Sequence, residues 1–196
     1  MRRLFALALS LFAMTAQAGE LPQDPMVQLL IRGESAPIDM GSDYLFGLWD
    51  GLPIADHAAT VNATIRNEGN GEYSFACATH GGRTAWFLSD AANYDGDAIV
   101  TAVVDTPGGE DTACGTVDER DAGPWDSTVP GIGASLKDLT GRFGAIEEIT
   151  EDGTVAFRSH DRAGDGGNSW ELIKTVTYHL TGEVVDAVAY ELVTVN

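Results

Sequence analysis

Lysine is almost missing from this chain. Lys137 and Lys174 are the only two in 196 residues, and together with the arginines they make 11 basic residues against 30 acidic ones, a formal charge of −19. A surface of that sign repels phosphate backbones and anionic lipid, which argues against nucleic-acid binding and membrane-surface attachment. A divalent cation or a basic partner remains compatible with it, and so does a plain solvated surface. Cysteine is equally scarce. Cys77 and Cys114 form no Cys-x-x-Cys motif, and two thiols alone cannot complete a metal site. His57, His80, His160 and His179 make no His-x-His or His-x-x-x-His pair, so a sequence-local zinc site is excluded. No Gly-x-Ser-x-Gly occurs either. Beyond Met14 no apolar run reaches the roughly 20 residues that a membrane-spanning helix needs.

What is present begins with a leader. "MRRLFALALSLFAMTAQA" joins Arg2 and Arg3 to an apolar run from Leu4 to Met14 and ends in Ala16-Gln17-Ala18. That pattern predicts a signal peptide over 1–18 and a mature, extracytoplasmic chain, periplasmic or secreted. Removing it leaves nine basic residues against 30 acidic ones, a formal charge of −21. In an oxidising compartment Cys77 and Cys114 are then expected to form a disulfide. Closing that loop would contribute about 4 kcal/mol in the chain-entropy model.

Period two dominates the body of the chain. The alternating stretches are "ATVNATIR" (59–66), "EYSFACAT" (72–79), "RTAWFLS" (83–89), "AIVTAVVD" (98–105), "GRFGAIEEI" (141–149), "TVAFRSH" (154–160), "SWELIKTVTYHL" (169–180) and "EVVDAVAYELVTVN" (183–196). Turn signals separate them, including Thr150 to Gly153 and Thr181-Gly182. The expected fold is a single antiparallel β-domain of about eight strands over 57–196, built as a barrel or a sandwich. A lead-in over 19–56 carries a short helix from Asp24 to Gly33. A second short helix follows from Ser135 and Asp138, which have capping-box spacing.

Near the start of the strands, "FGLWDG" contains Gly47-Leu48-Trp49. It resembles the Gly-x-Trp that opens the first strand of lipocalin-like barrels. The resemblance implies an eight-stranded cup with Trp49 closing one end and a small apolar ligand inside. The C-terminal hairpin supplies further ligand-contact candidates. A two-residue turn at Thr181-Gly182 would place Trp170, Lys174 and Tyr178 on one face and set Glu191 diagonally against Lys174. Lys174 and Glu191 are therefore expected to pair.

Two loops carry oxygen ligands at spacings that approach a calcium loop. From Asp161, the fifth position is Asp165 and the sixth Gly166, but the third is Ala163, and Glu171 falls one place early. Asn93, Asp95 and Asp97 have the spacing, but Ala98 stands where glycine is needed and Val104 where glutamate is needed. Calcium at either loop is the one cofactor the sequence suggests; the simpler reading is a wet strand connection. The expected role is a non-catalytic β-domain that binds a small molecule, glycan or protein. The alternative is an extracytoplasmic hydrolase of a carbohydrate-like substrate, working through two carboxylates.

Overall fold

The computed structural model describes residues 30, 36–40, 53–67, 73–80, 82–90, 102–107, 114–116, 129–163 and 170–195. The expected signal peptide (1–18), Trp49, Asn93, Asp95, Asp97 and Asp165 lie outside them, as does the expected helix from Asp24 apart from Leu30, which is helical and buried.

The chain is mainly β. Nine strands are described: β1 (Pro37–Asp39), β2 (Arg66–Asn67), β3 (Tyr73–His80), β4 (Arg83–Asp90), β5 (Ala102–Pro107), β6 (Gly115–Thr116), β7 (Thr154–Ala163), β8 (Trp170–Thr181) and β9 (Val184–Val195). Two helices accompany them, α1 (Ile54–Val61) and α2 (Leu136–Phe143). The strands form one connected sheet in the order β1-β7-β8-β9-β5-β4-β3-β2, with β6 added in parallel to β3. Neighbours along β7-β8-β9-β5-β4-β3-β2 are antiparallel, joined by hairpin-length links at β2–β3, β3–β4, β7–β8 and β8–β9, while β1 joins β7 in parallel. Among the described residues nothing joins β1 to β2, so the sheet is open and does not close into a cup.

Both faces of the sheet are apolar. One is covered by the helices. Ile54 and Ala58 of α1 and Leu139 of α2 pack there with Ala76, Phe87, Phe157, Val176, Tyr178, Val188 and Tyr190. Phe143, at the end of α2, stacks on Phe157 at 4.1 Å between centroids, and Phe157 meets Tyr178 edge-on at 6.0 Å. The other face gathers Leu30, Phe75, Cys77, Trp86, Leu88, Val104, Ala187 and Ala189, with Cys114 against them. Cys77 and Cys114 are joined in a disulfide, as expected.

Helix α2 forms where its cap predicts. The Ser135 hydroxyl accepts from the Asp138 backbone N–H, and Asp138 Oδ2 accepts from the Ser135 backbone N–H at 2.8 Å. The Ser135 hydroxyl bond also holds the Asp138 carboxyl below its ordinary value. The cap is anchored to the C-terminal hairpin: Leu136 N–H donates to Glu183 O and Val185 N–H to Ala134 O. At the tip of that hairpin Gly182 and Glu183 form the turn, one residue later than the expected Thr181-Gly182, because Thr181 still pairs with Val184. Gly182 has φ +67°, and Glu183 is not in the left-handed region, which suits a II′ turn with glycine first. Gly153 also cannot be replaced freely. Its φ is +84°, and an added Cβ would stand 2.6 Å from Leu180 O.

Three sequence expectations need correction. The stretch 59–66 does not run as a strand. Ile54 to Val61 is helical, because Ile54 and Ala58 share one buried helical face, and Asn62 ends the helix at φ 54°. The stretch 141–149 continues α2 to Phe143 and then runs irregularly, with Ile146 and Ile149 packed on the core. The third correction is the register of β8 and β9. Thr181 pairs with Val184 and Leu180 with Val185, but His179 pairs with Ala187, which leaves Asp186 as a bulged residue. Beyond the bulge, Val188 and Tyr190 share the face of Val176 and Tyr178, while Ala187, Ala189 and Glu191 turn to the other.

Candidate functional site

The far end of the β7–β8–β9 ribbon concentrates exposed side chains of both kinds. Ala163 pairs with Trp170, Glu171 with Val195 and Ile173 with Val193, so β8 begins where β9 ends. Trp170 is 40% exposed, Val193 39% and Val195 43%, three of the five large apolar side chains that stand out to solvent among the described residues. Alternation puts Trp170 on the helix-bearing face and Val193 and Val195 on the disulfide-bearing face.

An ion pair and a histidine–carboxylate hydrogen bond flank these residues. Lys174 Nζ lies 2.9 Å from Asp161 Oδ2, with Lys174 the more buried partner. His160 Nδ1 lies 2.8 Å from Glu171 Oε1, with both side chains well exposed. The first pair is on the helix-bearing face and the second on the disulfide-bearing one, because residues 160 and 161 of a strand point opposite ways. Asp161 and Glu171, two of the calcium candidates, are therefore held apart, each with its own cationic or imidazole partner. Among the described residues no group of three His, Cys, Asp or Glu side chains is placed to hold a metal ion.

Lys174 does not pair with Glu191, contrary to the sequence reading. Lys174 is opposite Leu192, and the bulge at Asp186 moves Glu191 to the other face, opposite Thr175. There the register aligns Asp39, Arg158, Thr175, Glu191 and Ala102 across five strands. Glu191 is exposed by surface area, but the protein packed around it desolvates its carboxyl and raises it above the ordinary value. Arg158 acts in the opposite direction. The Nε of Arg158 is buried without a hydrogen-bond partner. Tyr178, another ligand-contact candidate, is fully buried in the core against Phe157 and Phe143 and lines no surface.

The sequence reading missed the polar cluster at the bulge. Asp186 Oδ1 lies 2.5 Å from His179 Nδ1, and its Oδ2 accepts from the Thr181 hydroxyl at 2.6 Å. His179 is buried, opposite Thr154. The bulge aims Asp186 at both partners, and no periodicity in the sequence announces a bulge. Its only written trace is an acid between Val185 and Ala187 in an otherwise apolar strand.

No protein family model matches the chain, and no curated protein matches it. Among solved structures it is similar to a cysteine-rich secretory protein from Staphylococcus aureus subsp. aureus Mu50, at 11% identity and a TM-score of 0.40. The match covers 80% of this chain and 50% of the other, so the chain spans about half the length of that protein.

Proposed function

We propose that this chain is an exported, non-catalytic β-domain that binds a partner at the open end of its β7–β8–β9 ribbon. The observation that carries this reading is the gathering of Trp170, Val193 and Val195 at one end of one ladder, exposed on both of its faces. A partner that covers both faces must wrap the ribbon end. That favours a protein over a small molecule or a glycan, each of which would need only one face. Single exposed apolar residues are ordinary, but a gathering of them rimmed by polar residues is characteristic of interaction surfaces. Export is supported by the leader-like N-terminal sequence and by the disulfide, which suits an oxidising compartment.

The hydrolase reading rests on Glu191, whose raised carboxyl is what a general acid requires. Its nearest carboxylate in the same row is Asp39, three strands away. At about 4.8 Å per strand that is roughly 14 Å, beyond the ~5 to 10 Å that paired glycosidase carboxylates use. The binding reading is the better supported.

A photo-crosslinking residue at position 170, introduced in the producing cell, tests it. Positions 65 and 184 are the controls, because Ile65 and Val184 are equally exposed but lie elsewhere. A discrete crosslinked species from position 170 alone is expected. The same pattern from all three positions would overturn the docking end.

A further inference from the structure

The Cys77–Cys114 bridge has unequal ends. Cys77 is fully buried in β3, whereas Cys114 is partly exposed at the entry to β6. An incoming thiol therefore meets the Cys114 sulfur first. Behind the buried sulfur stands a cation: Arg66 Nη2 donates to Cys77 Sγ at 3.1 Å. The guanidinium is held there by aromatic rings, with Cζ 4.8 Å from the centre of Phe75 and 5.7 Å from that of Trp86. Arg66 can take this position because it pairs with Phe75 across β2 and β3, and Trp86 faces Cys77 across β3 and β4. Thiol–disulfide exchange is faster when the departing sulfur is the more stable thiolate, and a neighbouring arginine stabilises a thiolate.

We propose that this disulfide is a directional exchange site for a dithiol reductant, with Cys114 as the sulfur attacked and Cys77 as the leaving thiolate received by Arg66. In the first step a thiolate of the reductant forms a bond to Cys114 Sγ. The Sγ–Sγ bond breaks, and its electron pair leaves on Cys77. In the second step the other thiolate of the reductant attacks its own sulfur in the mixed disulfide and releases Cys114 as a thiolate. The reductant becomes a disulfide, and the two cysteines are reduced and take up protons from water. The change has a structural outlet. Among the described residues β6 meets β3 only at Ala78–Gly115 and Thr79–Thr116, supported by the Thr79 hydroxyl on Gly115 O at 3.3 Å, so reduction releases a two-residue strand beside the bridge.

The test uses the oxidised, folded full chain. Reduced glutathione is added under native conditions, exchange is stopped with acid, and the adduct is located by peptide mapping. Glutathione on Cys114 is expected; glutathione on Cys77, or on both equally, overturns the proposal. Reduction by dithiothreitol is then timed in the unchanged protein, in Arg66→Gln and in Arg66→Lys. The rate should rise in proportion to dithiothreitol, fall by about threefold to tenfold in Arg66→Gln, and recover in part in Arg66→Lys. Loosening the fold would instead make the bridge easier to reach, so an unchanged or faster rate in Arg66→Gln overturns the proposal. So does a rate that saturates with dithiothreitol, which would mean that opening of the fold limits exchange. If Arg66→Gln does not fold, adduct position and the Arg66→Lys rate decide the matter. Position 170 crosslinking plays no part in these readouts, so this proposal and the docking end can fail separately.

Discussion

The two faces of the sheet are built from different materials. Against the helices the strands present large side chains that interlock: Phe87, Phe157, Val176, Tyr178 and Tyr190, closed over by Phe143 and Leu139. The opposite face has Phe75, Trp86 and Leu88 at the β3–β4 side, but across β7, β8 and β9 it carries Ala156, Thr175, Thr177, His179, Ala187 and Ala189, all buried. One face is held by shape and the other by small residues, hydroxyls and a covalent bridge. The desolvated Glu191 carboxyl, with Arg158 in its row, and the His179–Asp186 contact fall on or beside the second face.

The largest effect should come from the packed face. Phe157 is fully buried, stacked on Phe143 and edge-on to Tyr178. Phe157→Ala should cost about 3 to 5 kcal/mol, since the rings of Phe143 and Tyr178 lose their common partner and the site cannot collapse without moving a helix. On the other face, Thr177→Ala removes one hydroxyl from a buried position and should cost about 1 kcal/mol. Urea unfolding of both variants measures the contrast. Equal losses would mean that the two faces are equally well packed.

A second contrast is in pH dependence. Burial raises the Glu191 carboxyl, so the folded state holds its proton more tightly than the unfolded chain does. Stability from this group is full below the ordinary glutamate range and is lost as pH rises through the raised value. Asp138 and Asp152 behave oppositely. Hydrogen bonds, first from the Ser135 and Thr150 side chains respectively, lower their carboxyls, so their contribution is lost as pH falls through the low carboxylate range. Glu191→Gln should flatten the decline on the upper side of the glutamate range and leave the acid limb in place. Melting temperature followed from pH 3 to pH 8 in both proteins reads this directly. An unchanged upper limb would show that Glu191 is as well solvated in the fold as outside it.

Where the sequence could be read, and where it could not, follows the same physical division. Strands β3, β4, β7, β8 and β9 declare themselves because each alternates or runs apolar between clear turn residues. The cap of α2 is legible because Ser135 and Asp138 satisfy each other locally, whatever else the chain does. The face assignment of β9 was not legible. Val184, Val185, Ala187, Val188, Ala189 and Tyr190 are apolar at both parities, so a one-residue slip leaves the pattern unchanged to the eye and still moves Glu191 to the other face. In 54–61, Ala, Thr and Val suit both periods, and the choice is made by the core that receives Ile54 and Ala58. Of the site candidates, the disulfide was readable from compartment and count. The expected neighbours of Trp170 were not legible: it shares its face with Val188 and Tyr190 and not with Ala187 and Ala189, because that assignment depends on the bulge.

The smallest expected effect tests the bulge itself. If Asp186 is the extra residue, Lys174 couples to Asp161 across β7 and β8 and does not couple to Glu191 on the far face. Without the bulge, the register of Thr181 with Val184 would set Lys174 directly opposite Glu191 on one face. Double-mutant cycles separate the two arrangements. Lys174→Met with Asp161→Asn should show a coupling of about 0.5 to 1 kcal/mol, modest because Asp161 keeps contact with water. Lys174→Met with Glu191→Gln should be additive to within about 0.3 kcal/mol, the ordinary result for side chains with no shared partner. Low salt should enlarge the first coupling and leave the second at zero, since screening acts only on charges close enough to interact. A reversal, with coupling to Glu191 and none to Asp161, would move β9 back by one residue and take the His179–Asp186 contact apart with it.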